Sequence, residues 1–191
     1  MKNQNKLNAI FIVIIAIAVG LACSGTKQTA EANKIVDQAN KKLDEAKELY
    51  GKTETRNKNL FSVNVRTVAQ LQYYKANKSI EAKSIVGDYE KVSEMLKDIS
   101  RQYDDISRMD LDEKYKDYAK LKSDEYAKRA EAVNIRKGNA QAFAEIDDPD
   151  TMMTKFEENN AKSDRLFKDA EDTGAKAKKI EEENKEIFKQ A

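Results

Sequence analysis

The stretch from Ile85 to Ile106 constrains the fold more than any other part of the sequence. Ile85, Tyr89, Val92, Leu96, Ile99, Tyr103 and Ile106 follow one another at alternating steps of four and three residues. That spacing holds the side chains in one stripe along a helix and does not fit the two-residue alternation of a half-buried strand. A stripe this long needs equally long apolar partners, because a lone helix would leave it in water. Such partners exist on both sides. Ala32, Val36, Ala39, Leu43, Ala46 and Tyr50 recur at the same spacing; Tyr115, Tyr126, Ala130, Val133, Ala140 and Phe143 mark a third helix; Met152, Phe156, Phe167, Ala170, Ala177, Ile180 and Ile187 or Phe188 mark a fourth. The expected fold class is therefore all-α, an elongated antiparallel helical bundle of about four helices with coiled-coil-like packing over residues 30–191. A helix of about thirty residues is about 45 Å long, so a rod is expected.

Composition points the same way. One Pro and six Gly in 191 residues leave few turn-forming positions, and 36% charged with 40% hydrophobic residues is enough apolar material for a core. The 35 basic and 34 acidic side chains are interspersed, so no phosphate-neutralising face is expected and nucleic acid is not an expected partner.

The breaks between helices are read from local chemistry. Gly51 and the polar run after it are expected to end the first helix in the fifties. Phe61, Val63 and Val65 alternate as a strand would, but no second strand is present to take the ladder hydrogen bonds. Residues 60–68 are therefore expected to be a connector or the first turns of a helix, with edge-strand pairing to another protein as the alternative. The second helix is expected from Ala69. Asp110, with Glu113 three residues on, is expected to cap a third helix beginning near Leu111, and Asp148 to cap a fourth beginning at Pro149. On the third helix, Asp112 with Lys116, Asp124 with Lys128 and Glu125 with Arg129 are expected as solvated pairs on the outer face.

The N-terminus has its own layout. Lys2 and Lys6 precede fourteen residues, Ala9 to Ala22, that carry no charge and no amide side chain, followed by small residues. A helix of that length rises about 21 Å, short of the ~30 Å hydrocarbon core, so an export signal is expected rather than a spanning helix. Residues 1–22 are read as a signal peptide cut between Ala22 and Cys23, and residues 23–29 as a short polar tether. Cys23 is the only cysteine in the chain, which excludes an internal disulfide and favours a modified thiol after export.

The stretch Gly20, Leu21, Ala22, Cys23 resembles the lipobox of bacterial lipoproteins, over about the first 25 residues only. Ala22 and Cys23 match the pattern, and Gly20 stands where that family most often has Leu. The resemblance implies that the Cys23 thiol carries diacylglycerol and that the new amino terminus is acylated. It also implies that Ser24 favours the outer membrane where two membranes are present. Several acyl chains at ~0.8 kcal/mol per buried methylene hold a protein on a membrane durably, which one chain does not.

Candidate chemistry is sparse. The chain has no His, which removes the commonest general base and most zinc and haem sites, and its six glycines are scattered singly rather than forming a phosphate loop. Asp147, Asp148 and Asp150 lack the alternation and closing Glu of a calcium loop and are read as capping residues. Tyr50, Tyr89, Tyr103 and Tyr126 are read as seam residues whose hydroxyls reach water at the edge. Tyr73 and Tyr74 fall on different helix faces, leaving one as a candidate partner contact.

No catalytic residue, cofactor or metal is expected. The reading is a non-enzymatic, lipid-anchored interaction, scaffold or surface module of the cell envelope, with an envelope protein as partner. A homo-oligomer is a second way of satisfying such stripes. The alternative function is a carrier holding a hydrophobic or small ligand between helices, with loosely filled layers around Ala130, Ala140, Ala170, Gly174 and Ala177. An enzyme using only Asp, Glu, Lys or Tyr is a third class and would need a cleft of converging carboxylates.

Overall fold

All seven residues of the stripe from Ile85 to Ile106 are at most 1% exposed, so the periodicity does mark the centre of the core. The structure, a computed structural model, describes residues 27–63 and 65–189. Four long helices, α1 (Lys27–Leu60), α2 (Val68–Ser107), α3 (Glu113–Glu145) and α4 (Pro149–Glu183), are followed by a short α5 (Lys185–Lys189). Each long helix packs along the next.

Successive helices run antiparallel, as the ties between them record. Lys42 pairs with Asp98 and Arg56 with Asp88, so α2 descends as α1 rises. The Ser93 hydroxyl donates to the Ala130 carbonyl and that of Ser100 to the Ser123 carbonyl, which sets α3 against α2 in the same sense. Tyr50 on α1 meets Phe167 on α4 edge to face at 5.7 Å and closes the bundle. Helices of this length span about 50–60 Å, so the body is long compared with its width. The expected fold class and helix number agree with this arrangement.

The helix boundaries differ from expectation in instructive ways. α1 starts at Lys27, inside the stretch read as tether, and runs through Gly51 to Leu60 instead of fraying in the fifties. Its inward stripe continues with polar side chains: Thr53 and Asn57 are buried between Tyr50 and Leu60. The Thr53 hydroxyl donates back to the Leu49 carbonyl at 2.7 Å, so its burial leaves no unpaired donor. A Cβ at Gly51 would meet nothing within 4 Å. Gly51→Ala should therefore raise stability by up to about 1 kcal/mol, read from urea unfolding, because it removes only backbone freedom.

Residues 61–63 and 65–67 belong to a connector, and no strand occurs among the described residues. The alternation there has another cause. Phe61 and Val65 turn down onto the core while Val63 stays out, and the Val65 amide closes a tight turn on the Val63 carbonyl at 3.0 Å. α2 then begins at Val68 behind a reciprocal cap: the Gln70 amide donates to the Thr67 hydroxyl at 3.2 Å and the Gln70 side chain accepts from the Arg66 amide at 3.0 Å.

Asp112, not Asp110, caps α3, with its carboxylate accepting from the Lys114 amide at 2.7 Å. The reason is local. The Arg108 and Met109 amides are still bonded to carbonyls of α2 and the Leu111 amide closes on Met109, so the chain is extended enough to restart only at Asp112. Asp148 and Pro149 occupy the expected cap and first-turn positions, and the Asp148 carboxylate accepts from the Thr151 amide and hydroxyl at 2.8 and 2.6 Å. These bonds from Thr151 hold that carboxyl below its usual range. At the end of α4 the chain folds over, and Phe188 of α5 stacks on Tyr115 at 5.0 Å, sealing the end of the bundle where α1 starts.

Candidate functional site

Two clusters of charged side chains lie inside the bundle. The first is built by all four long helices at one level. Glu54 on α1 is buried and its Oε1 accepts from the Tyr89 hydroxyl of α2 at 2.6 Å. Tyr50, one turn away, also donates to Glu54. Arg136 on α3 faces the same carboxylate with Nε at 3.8 Å, while its hydrogen bonds go to α4: Nε to the Ser163 hydroxyl at 3.1 Å, Nη2 to Asp164 at 2.5 Å and Nη1 to Asn160. The Ser163 hydroxyl passes its own proton to the Ala132 carbonyl at 3.0 Å. Burial, and then the Glu54 charge, push the Tyr89 and Tyr50 phenols far above their ordinary range, so both remain proton donors.

The second cluster lies on α3, nearer the end where that helix begins. Lys122 and Glu125 are each 2% exposed, with Lys122 Nζ 2.7 Å from Glu125 Oε2. Arg129 reaches the other carboxylate oxygen with Nη2 at 2.9 Å and Nε at 3.0 Å. The Lys122 ammonium also lies 4.7 Å from the centre of the Tyr126 ring, a distance at which the ring face attracts a cation. The first cluster couples specific positions on all four helices and so fixes their register, whereas the ion pairs of the second run along α3 itself.

These clusters correct two expectations. Tyr50, Tyr89, Tyr103 and Tyr126 are buried, so their hydroxyls do not reach water at the edge; a buried Glu54 stands ready to accept from two of them. Glu125 with Arg129 is an inward pair, not an outer one, whereas Asp124 with Lys128 is partly solvated at 2.6 Å as expected. Lys116 pairs with Glu113 at 2.9 Å rather than with Asp112, because Asp112 is engaged in the cap. The sequence carried a usable signal for the inward charges. Tyr115, Ala119, Lys122, Tyr126, Arg129, Val133, Arg136, Ala140 and Phe143 step by four and three, which puts Lys122, Arg129 and Arg136 on the seam.

Ala130, Ala140, Ala170, Gly174 and Ala177 are all buried. Around Gly174 the space is occupied: a Cβ there would lie 2.7 Å from Glu125 Oε2 and 2.8 Å from its Cδ. The missing side chain makes room for the buried carboxylate.

On the outside of the bundle, one stretch of α2 presents a run of exposed uncharged side chains. Among the described residues, the large apolar side chains left exposed are Val63, Val68, Tyr73 and Ile80, all from one short segment. Tyr73 is 77% and Ile80 85% exposed. Ala69, Tyr73, Ala76 and Ile80 share a face at steps of four, three and four, and Gln70, Gln72, Asn77 and Ser79 beside them are exposed and uncharged. The charges of this segment are occupied elsewhere: Lys75 reaches the Ile146 carbonyl at 2.7 Å and Asp147 at 2.9 Å, and Lys78 pairs with Glu81 at 2.7 Å. Tyr74, by contrast, points inward, edge-on to Phe143 at 5.7 Å.

Ala22 and Cys23, the expected cleavage and lipidation positions, lie outside the described residues. Asp147 and Asp148 are an ion-pair partner and a cap, and Asp150 sits in the first turn of α4. Among the described residues no group of three or more Asp, Glu, His or Cys could hold a metal ion, and no helix is long and apolar enough to cross a membrane. No family model, curated protein or solved structure matches the chain.

Proposed function

We propose that this protein is a lipid-anchored module of the bacterial cell envelope that works without catalysis, by presenting one helix face to a protein partner. The observation that carries this reading is the position of the uncharged face of α2. Cys23 precedes Lys27 by four residues, a leash of about 13 Å at most. An acylated Cys23 would therefore hold the start of α1 against the membrane. α1 runs about 50 Å to its other end, where α2 and its uncharged face begin. A rod anchored at one end and apolar on one side near the other is suited to docking at a distance from its own membrane. In a cell with two membranes, Ser24 favours the outer one as the site of the anchor.

The test is intact mass and membrane partition of the cell-expressed protein beside a Cys23→Ala variant. The expected result is a mature mass of residues 23–191 plus acyl chains, found with the membrane, while the variant gains no lipid. Retention of the first 22 residues by the parent chain, or their loss without added lipid, would overturn the anchor.

A carrier of a small ligand is the second reading, and one observation favours it. The side-chain oxygens of Asn57 and Asn139 are buried without a hydrogen-bond partner in the protein, each one turn beyond a member of the Glu54 and Arg136 pair. The crowding of Gly174 by Glu125 counts against loosely filled layers at the small residues.

A further inference from the structure

We infer that the layer of asparagines one turn beyond Glu54 and Arg136 is a binding site for a small uncharged molecule that donates hydrogen bonds, of the class of a primary amide or a polyol. The inference rests on the carrier reading above and narrows its ligand to a polar one. It does not need an acylated Cys23.

The ties between helices place the layer. α1 and α3 are each antiparallel to α2 and so run the same way, and Arg136 meets Glu54 across them at 3.8 Å. Three residues on, about 4.5 Å further along both axes, come Asn57 and Asn139. They are 1% and 0% exposed. α4 brings Asn159 and Asn160 to the same level, where the Asn139 side-chain amide donates to Asn160 Oδ1 at 2.9 Å.

This layer is short of donors. Asn57 Oδ1 and Asn139 Oδ1 are both buried with no hydrogen-bond partner in the protein, and buried amide oxygens in folded chains are nearly always paired. The nearest donors are engaged: Arg136 bonds Ser163, Asn160 and Asp164, and Asn139 gives its amide to Asn160. A ligand that suits the layer therefore brings N–H or O–H groups, and one amide –NH2 has a proton for each of the two oxygens.

Charge and polarity select against the other classes. A cation would be repelled by the Arg136 guanidinium one turn away, and two amide oxygens are too few to replace its hydration shell. An anion would meet two acceptors, with the Glu54 and Asp164 carboxylates already around the guanidinium. A hydrocarbon would cover both oxygens and bond neither.

The way in is the seam between α1 and α4, which approach each other at few points. On one side of the layer Tyr50 meets Phe167 at 5.7 Å, and on the other Phe61 stacks on Phe156 at 4.1 Å. From Tyr50 to Phe61 is about 16 Å along the chain's helical rise. The Asp164 side chain, 47% exposed, and the half-buried Asn160 reach from solvent to Arg136 between these aromatic pairs. The seam between α3 and α4 is closed at this level, since a Cβ at Gly138 would lie 3.0 Å from Asn159 Nδ2.

The experiment follows the side-chain amide signals of Asn57 and Asn139 by NMR in the 15N-labelled full chain, with the exposed Asn77 and Asn134 as controls. Acetamide and glycerol are titrated separately, and a third sample is held in toluene-saturated buffer. One of the polar probes should shift both buried signals along a saturable curve while the controls drift linearly. Asn57→Leu or Asn139→Leu should weaken that binding about tenfold, read on the asparagine that remains.

Toluene moving both buried signals while neither polar probe does would overturn the polar ligand and leave a carrier of hydrophobic molecules. No saturable shift with any of the three would overturn the carrier reading together with this site, the layer then holding water alone. The parent titration decides between these results even where a Leu variant does not fold.

Discussion

Arg136→Met should destabilise the protein by about 3–5 kcal/mol, measured as a lowered urea midpoint with an unchanged slope. The magnitude follows from what the substitution leaves behind. Glu54 is buried and has two phenol donors, from Tyr50 and Tyr89, but Arg136 is the cation facing it, at 3.8 Å. Met keeps the apolar stem of Arg136 but not its guanidinium, so the loss is that of the charge and of its bonds to Ser163, Asn160 and Asp164 rather than of the whole side chain. Removing one member of a buried pair strands the other, whereas removing both often costs little. Glu54→Gln combined with Arg136→Met should therefore recover more than half of the loss. An Arg136→Met variant as stable as the parent would mean that Glu54 has another source of compensation. Equal stability of the single and double variants would mean that the two residues are not coupled.

Much of this fold was legible because the apolar side chains follow helical spacing without interruption on α2. Every residue from Ile85 to Ile106 that the spacing selected is in the core, and Asp148 with Pro149 marks the start of α4 where capping chemistry places it. Apart from the cap of α3 and the start of α1, what was misread has one physical cause, the assumption that a charged or polar side chain points to water. Thr53 and Asn57 extend the inward stripe of α1 past Gly51, so the helix ends later than its apolar residues suggest. Lys122 stands between Ala119 and Tyr126 on the seam of α3, and Glu125 follows it inward. The burial of Glu54 depends on Arg136, and no window of local sequence contains both, whereas Lys122, Glu125 and Arg129 pair within one stretch of α3. The exposed face of α2 was half legible. Tyr73 was singled out by its neighbour Tyr74, but Ile80 draws attention only once the opposite side of α2 is seen to be the buried one.

The second large effect is expected at Glu125, and it carries a sign reversal that tests the packing directly. Glu125→Ala should cost about 3–5 kcal/mol, because it leaves Lys122, 2% exposed, without the carboxylate 2.7 Å away and beside the Arg129 charge that shared it. Gly174→Ala in the parent chain should also destabilise, by about 1–3 kcal/mol. Its new methyl would lie 2.7 Å from Glu125 Oε2, and that oxygen is held by Lys122 and is not free to swing away. Ordinarily Gly to Ala inside a helix gains about 1 kcal/mol, as expected at Gly51, so the loss at Gly174 measures the clash. Once Glu125 is Ala, the obstruction is gone and Gly174→Ala should become stabilising. A thermal or urea double-mutant cycle reads this as a coupling energy of at least about 2 kcal/mol. If Gly174→Ala costs the same in both backgrounds, the glycine is required by some contact other than the carboxylate, and the account of α4 making room for a buried ion pair on α3 fails.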